Sequence, residues 1–108
     1  MTEKYKDFVI YKIYNLLTPE IFYIGSTTNF SKRKAQHKKN TTNKVSKAYH
    51  YPIYQFIRVV GGFDYFTMEI YERYPCNSRE EGRIREQELI DSLNPELNMI
   101  CSSVKKKD

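Results

Sequence analysis

The chain offers little sulfur for ligation or cross-linking. Cys76 and Cys101 are its only cysteines, and they lie far apart. Two such positions make neither a zinc pattern nor a disulfide framework, so both read as free, reduced thiols. Long apolar runs are missing too, and no stretch has the length to span a bilayer. The N-terminus carries Glu3, Lys4, Lys6 and Asp7, which is not the pattern of a signal peptide. The expectation is an intracellular protein (cytoplasmic, nuclear, or acting inside a host cell) that is not secreted and has no membrane partner. No repeat and no linker breaks the sequence. At 108 residues the chain is expected to be one domain over 1–108, large enough for one modest core. That core is placed at about 8–98, with a frayed basic tail over 102–108.

Acidic residues are absent from 32–47, where Lys32, Arg33, Lys34, Lys38, Lys39, Lys44 and Lys47 all fall. The acids gather later, as Glu80, Glu81, Glu86, Glu88, Asp91 and Glu96. A net charge of +5 and a pI near 9.2 suit a polyanionic partner, although that charge also simply favours solubility. Segregation decides between the two readings. A basic block free of acids predicts a phosphate-facing surface, with these lysines as phosphate contacts.

Local patterns predict the elements. Phe8 to Asn15 and Ile21 to Ser26 are rich in β-branched and aromatic residues, and Thr18-Pro19 supplies turn chemistry between them. Thr27, Thr28 and Asn29 suit a helix N-cap, and Phe30 to about Lys39 reads as a basic helix. Asn40 to Lys47 reads as a polar loop. Pro52 opens a second helix whose Ile53, Phe56, Ile57 and Val60 keep helical spacing until Gly61-Gly62. Phe66 to Tyr71 alternates as a half-buried strand. Ser78-Arg-Glu-Glu81 forms a capping box for a helix that runs to about Leu93, before Asn94-Pro95. Leu97 to Cys101 is a short run expected to pack along the sheet. The order β-β-α-α-β-α predicts an α+β fold: a small, mostly antiparallel three-stranded sheet flanked by helices.

Several residues stand out chemically. Arg33 and His37 are one helical turn apart and share a face. Arginine gives a permanent planar fork for phosphate oxygens, and histidine can polarise a hydroxyl. Tyr11 and Tyr23 lie on the hairpin strands next to that helix. The other tyrosines, Tyr54 among them, read as packing residues. A phenol works as a base only where nearby cations favour its ionised form. Stepping by three and four along the last helix puts Gly82, Glu86, Leu89, Ile90 and Leu93 on one stripe. A carboxylate on an apolar stripe is costly unless paired. Glu86 is therefore either an ion-pair partner of Arg33 or a lysine, or a metal ligand, with Gly82 leaving room beside it.

Together these segments resemble the GIY-YIG nuclease family. The resemblance rests on Val9-Ile10-Tyr11, Tyr23-Ile24-Gly25-Ser26, Arg33 and His37, Gly62 with Phe66, Glu86 with Leu89-Ile90, and Pro95 with Asn98. Val9 stands where the family pattern has a glycine, and Leu89 where a tryptophan is common. Lys12-Ile13-Tyr14 could be set in the first motif instead. Tyr11 is preferred because Asn15 then takes the place of a frequent asparagine after the strand.

The resemblance implies hydrolysis of a DNA phosphodiester with one Mg²⁺ or Mn²⁺. In that reading Tyr11 and Tyr23 are the site tyrosines, with Tyr11 the favoured general base. Arg33 contacts the phosphate, His37 supports proton transfer, and Glu86 holds the metal. Gly25, Ser26 and Asn98 are structural or site-edge positions, Gly25 being the glycine that lets the backbone turn near the site. Substrate capture would use the basic block, a homodimer or a targeting partner protein. The competing reading is a module that keeps the fold and binds DNA without cutting it.

Overall fold

The structure, a computed structural model, describes residues 3–99. Cys101 and the tail expected over 102–108 lie outside the described residues. The elements are β1 (Val9–Asn15), β2 (Phe22–Thr27), α1 (Phe30–Thr42), α2 (Pro52–Val59), β3 (Phe66–Arg73) and α3 (Arg79–Leu93). Short 3-10 turns at Glu3–Tyr5 and Phe63–Tyr65 precede β1 and β3. The fold is α+β in the expected order.

The sheet runs β2-β1-β3 and both pairings are antiparallel. As the central strand, β1 is buried on both faces, and its alternating side chains feed two separate cores. Tyr11 and Ile13 join Ile53, Tyr54 and Ile57 of α2 with Phe66 and Met68 of β3. Phe8, Ile10 and Ile24 join Cys76 and Leu89 on the opposite face, against α3. A register shift between Ile10 and Tyr11 marks a bulge in the pairing with β3. The first layer therefore carries α1 and α2, the second carries α3, and β2 is an open edge where the two layers can meet.

Local chemistry explains the boundaries. The Asn29 side chain accepts from the Lys32 N–H and starts α1. The helix then runs past the expected end into the stretch read as a loop. Thr41 and Thr42 donate their hydroxyls to the His37 and Lys38 carbonyls, and the Asn43 N–H closes on the Lys39 carbonyl. Tertiary anchoring holds this turn against its low propensity: Thr41 is buried, and its carbonyl accepts from the Arg58 guanidinium at 3.1 Å. Gly61 and Gly62, at φ 127° and 111°, take the chain out of α2. Ser78 caps α3 by accepting from the Glu81 N–H, while Glu81 accepts from the Asn77 N–H rather than from Ser78 itself.

The terminal run, described as far as residue 99, packs against the sheet as a helical turn. Residues 96–99 form a helical turn that buries Leu97 in the first core. Asn98 pairs with both backbone polar groups of Ile24, at 2.7 Å to its N–H and 2.9 Å to its carbonyl. The side chain thereby closes part of the free edge of β2.

Gly82 does not leave room for an ion, as its place beside Glu86 suggested. A Cβ there would run into the Phe8 ring, which fills the space. Helix propensity alone favours Gly82→Ala by about 1 kcal/mol. Overpacking against a buried ring costs roughly 1–3 kcal/mol. We expect Gly82→Ala to be net destabilising in denaturant titrations; a stabilised variant would show that Phe8 is free to move.

Candidate active site

The site is built on Tyr11. The residue is 1% exposed, and its ring lies across β2 at Gly25, its partner in the strand register. A Cβ on Gly25 would sit 2.5 Å from the phenol oxygen and ring. Gly25 does not turn the backbone, as expected from its missing Cβ; it is an interior residue of β2, and the positive-φ glycines are Gly61 and Gly62. Its function in the fold is to let a tyrosine ring cross the strand.

Crossing β2 brings the Tyr11 hydroxyl to α1. It lies 2.8 Å from His37 Nε2 and accepts from Arg33 Nε at 3.3 Å. The one-turn spacing of Arg33 and His37 thus converges on one phenol. His37 is itself 1% exposed, and its Nδ1 lies 2.7 Å from the Tyr54 hydroxyl. Asn40 donates to the same Tyr54 oxygen at 3.2 Å. A neutral imidazole donates at one nitrogen and accepts at the other, so His37 links two phenols in one chain of hydrogen bonds. Either tautomer closes this chain. Only the form with its proton on Nδ1 leaves Nε2 able to accept from Tyr11.

Tyr54 was read from the sequence as a packing residue, and it does pack in the first core. Its hydroxyl contact with His37 carried no signal beyond its place beside Ile53 on the buried face of α2. Tyr23 is half-buried and lines a cleft of about 190 Å³ with Arg33, His37, Asn40 and Tyr54. The reading of Tyr11 over Tyr14 agrees with the geometry: Tyr14 points outward and donates to Glu69 at 3.0 Å.

Charge and burial compete here. Burial pushes the Tyr11 phenol up to about 12, against the pull of the adjacent Arg33 cation. Burial, helped by Arg33, drives His37 down to about 3. Both groups are therefore neutral near pH 7, and Arg33 carries the charge.

Glu86 comes from the other layer. It is half-buried on α3, and Ser26 Oγ donates to its Oε1 at 2.5 Å. Its charge is felt at Tyr11, where it raises the phenol. Through Ser26, the residue after Gly25 on β2, the carboxylate is held at the strand that the Tyr11 ring crosses. It does not pair with Arg33, whose guanidinium bonds Tyr11 and Gln36 instead. Among the described residues, no group of three or more His, Cys, Asp or Glu side chains gathers to hold a metal. The donor set fits an ion that takes one carboxylate and fills its remaining positions with water and substrate phosphate, as Mg²⁺ commonly does.

The basic block is exposed around this centre. Lys39 and Lys47 line a second cleft with Arg33, Gln36 and Asn40. Lys32, Lys34, Lys38 and Lys44 are exposed outside it. Asn98 supports the strand next to Gly25 and does not line either cleft.

The three-stranded α+β scaffold on which Arg33 and His37 meet Tyr11 is the fold of a nuclease catalytic domain. The GIY-YIG catalytic domain profile matches residues 7–99, and the chain belongs to that family. Among solved structures, the catalytic domain of homing endonuclease I-TevI matches with a TM-score of 0.65 at 25% identity. The alignment covers 81% of this chain and 88% of that one. No curated protein matches the sequence. Among the described residues, no helix is long and apolar enough to cross a membrane.

The state of His37 has a consequence for stability. The folded protein keeps the imidazole neutral down to about pH 3, whereas the unfolded chain takes up a proton below about 6.5. Its contribution is complete above pH 6.5 and is lost as pH falls toward 3. The difference in unfolding free energy between the native protein and His37→Gln should therefore shrink across that window in denaturant titrations. A difference independent of pH would show that His37 is not held neutral.

Proposed function

We propose that this domain is a metal-dependent DNA endonuclease in which Tyr11 takes the proton of the attacking water. The observation that carries the reading is the convergence of Arg33 and His37 on the Tyr11 hydroxyl beside Glu86. Arg33 holds a non-bridging oxygen of the scissile phosphate and opposes the charge that builds there. As Tyr11 accepts the water proton, its own proton moves to His37 Nε2. Tyr54 is a positioning residue: by accepting from Nδ1–H it favours the tautomer with a free Nε2. Tyr23, which lines the same cleft as Arg33, borders the phosphate position. Glu86 would hold a Mg²⁺ or Mn²⁺ ion, which would supply electrostatic stabilisation of the leaving oxygen.

Two properties of the resting site favour this assignment. First, a neutral His37 can receive a proton, which an imidazolium cannot. Second, one of the two influences that depress its basicity is Arg33, and a phosphate bound at Arg33 offsets that influence. The exposed lysines near the cleft, Lys39 and Lys47 foremost, bind flanking phosphates. Cutting both strands of a duplex then calls for a second copy of the chain or a partner protein.

Plasmid nicking tests the proposal. We expect nicking of supercoiled DNA with Mg²⁺ that disappears with EDTA and in Glu86→Ala. Arg33→Ala should cost about 10²–10³ in rate while the fold is retained. DNA binding without any cleavage, over several metals and DNA forms, would instead identify a non-cleaving binding module. Tyr54→Phe should lower kcat by roughly tenfold at unchanged KM. In that variant the ¹⁵N signals of His37 should change from one tautomer to a mixture; unchanged signals and rate would remove Tyr54 from the machinery.

A further inference from the structure

The Arg33 cleft accounts for substrate on one side of the site only. On the other side of Glu86 lies a separate cleft of about 370 Å³ between the N-terminal segment, the end of β2 and α3. Lys4, Arg79 and Arg83 line it, and Glu86 is the single acid in its wall. Ser26, Thr27 and Thr28 contribute hydroxyls along the β2 side. The basic block of the sequence does not include these cations. They are embedded in a segment whose acids mask them.

Their arrangement is ordered. Arg79, Arg83 and Glu86 stand at i, i+4 and i+7 and so share one face of α3. Both arginines are exposed, and neither has a hydrogen bond or ion pair among the described residues. Arg85, between Arg83 and Glu86 in sequence, is the opposite case. It forms two bonds to Glu72 at 2.7 and 2.8 Å and one to Glu88 at 3.0 Å. The helix thus neutralises Arg85 and leaves the two arginines on the Glu86 face without a partner among the described residues. The step from Arg79 to Glu86 is about 10 Å along the axis, the rise of about three nucleotides of one strand.

We propose that the Arg79–Arg83 cleft binds the phosphates of the cut strand on the Glu86 side of the scissile bond, opposite the Arg33 cleft. This rests on the nuclease reading above and sharpens it. The strand passes through the site and continues in both directions, so the substrate is an internal phosphodiester and not a chain end. Glu86 is then the one acid in the wall of this cleft.

Binding can be measured apart from cutting. Fluorescence anisotropy with a labelled duplex in EDTA reads affinity and its salt dependence. Arg79→Ala/Arg83→Ala should weaken binding about tenfold at low salt. It should also flatten the slope of log affinity against log salt by about 2, one unit for each lost phosphate contact. Arg79→Lys/Arg83→Lys should restore most of both, which a loss through misfolding would not allow. In cleavage assays the double alanine variant should raise KM and leave kcat near native. Cleavage of a circular single strand should be as efficient as cleavage of a linear one. Native affinity and slope in the double alanine variant, or cleavage confined to chain ends, would overturn the proposal. A native protein that binds with this salt slope but never cuts would overturn the nuclease reading and leave the cleft assignment standing. A native protein that does not bind DNA would overturn both.

Discussion

The passage of the Tyr11 ring over Gly25 is the contact on which the rest of the site depends. Tyr11 starts on the central strand, buried on both faces, and its hydroxyl must reach the edge of the sheet. It can do so only by crossing β2, and it crosses at the residue with no Cβ. Any side chain at Gly25 would lift the ring and carry the hydroxyl away from Arg33 Nε and His37 Nε2. The rest of the first layer is arranged around that fixed oxygen. Asn29 sets where α1 begins, and the start of α1 sets which face Arg33 and His37 present.

The same burial that fixes these groups also sets their protonation. Arg33 favours an ionised Tyr11, yet burial outweighs it and the phenol stays up near 12. For His37 burial and Arg33 act in the same direction, and the imidazole stays neutral. The site in its resting state therefore holds two neutral, hydrogen-bonded groups around one cation. In the proposed reaction a bound phosphate offsets that cation, and proton movement along Tyr11 and His37 becomes less costly at the moment substrate is present.

Much of this could be read from the sequence, and the omissions have physical reasons. Periodicity located α2 and β3, residue composition located β1 and β2, and capping residues located α1 and α3. The last turn of α1 was missed because it is held by tertiary contacts, the burial of Thr41 and the Arg58 guanidinium on its carbonyl, rather than by propensity. Tyr11, Arg33 and His37 were legible because motif order and helical spacing both mark them. Tyr54 was not, since its hydroxyl contact depends on how α2 meets α1, and no local pattern encodes a crossing between helices. Gly25 and Gly82 showed in the sequence as missing side chains. What fills each space, a phenol from β1 in one case and Phe8 in the other, is a tertiary fact. Arg79 and Arg83 were hidden by composition: averaged over α3, the acids beside them cancel their charge.

Bringing Glu86 from the opposite layer solves a problem of charge. A carboxylate and a guanidinium about 4 Å apart near a protein surface attract by about 4 kcal/mol before desolvation is counted. Paired with each other, neither would be open to a phosphate or a cation. In this fold Arg33 rests on neutral groups, the Tyr11 hydroxyl and the Gln36 amide. Glu86 rests on the Ser26 hydroxyl, also neutral. Each ion is held in place by hydrogen bonds that leave its charge intact. The edge strand keeps the two separate: Arg33 lines the clefts beside α1, and Glu86 lines the cleft beside α3.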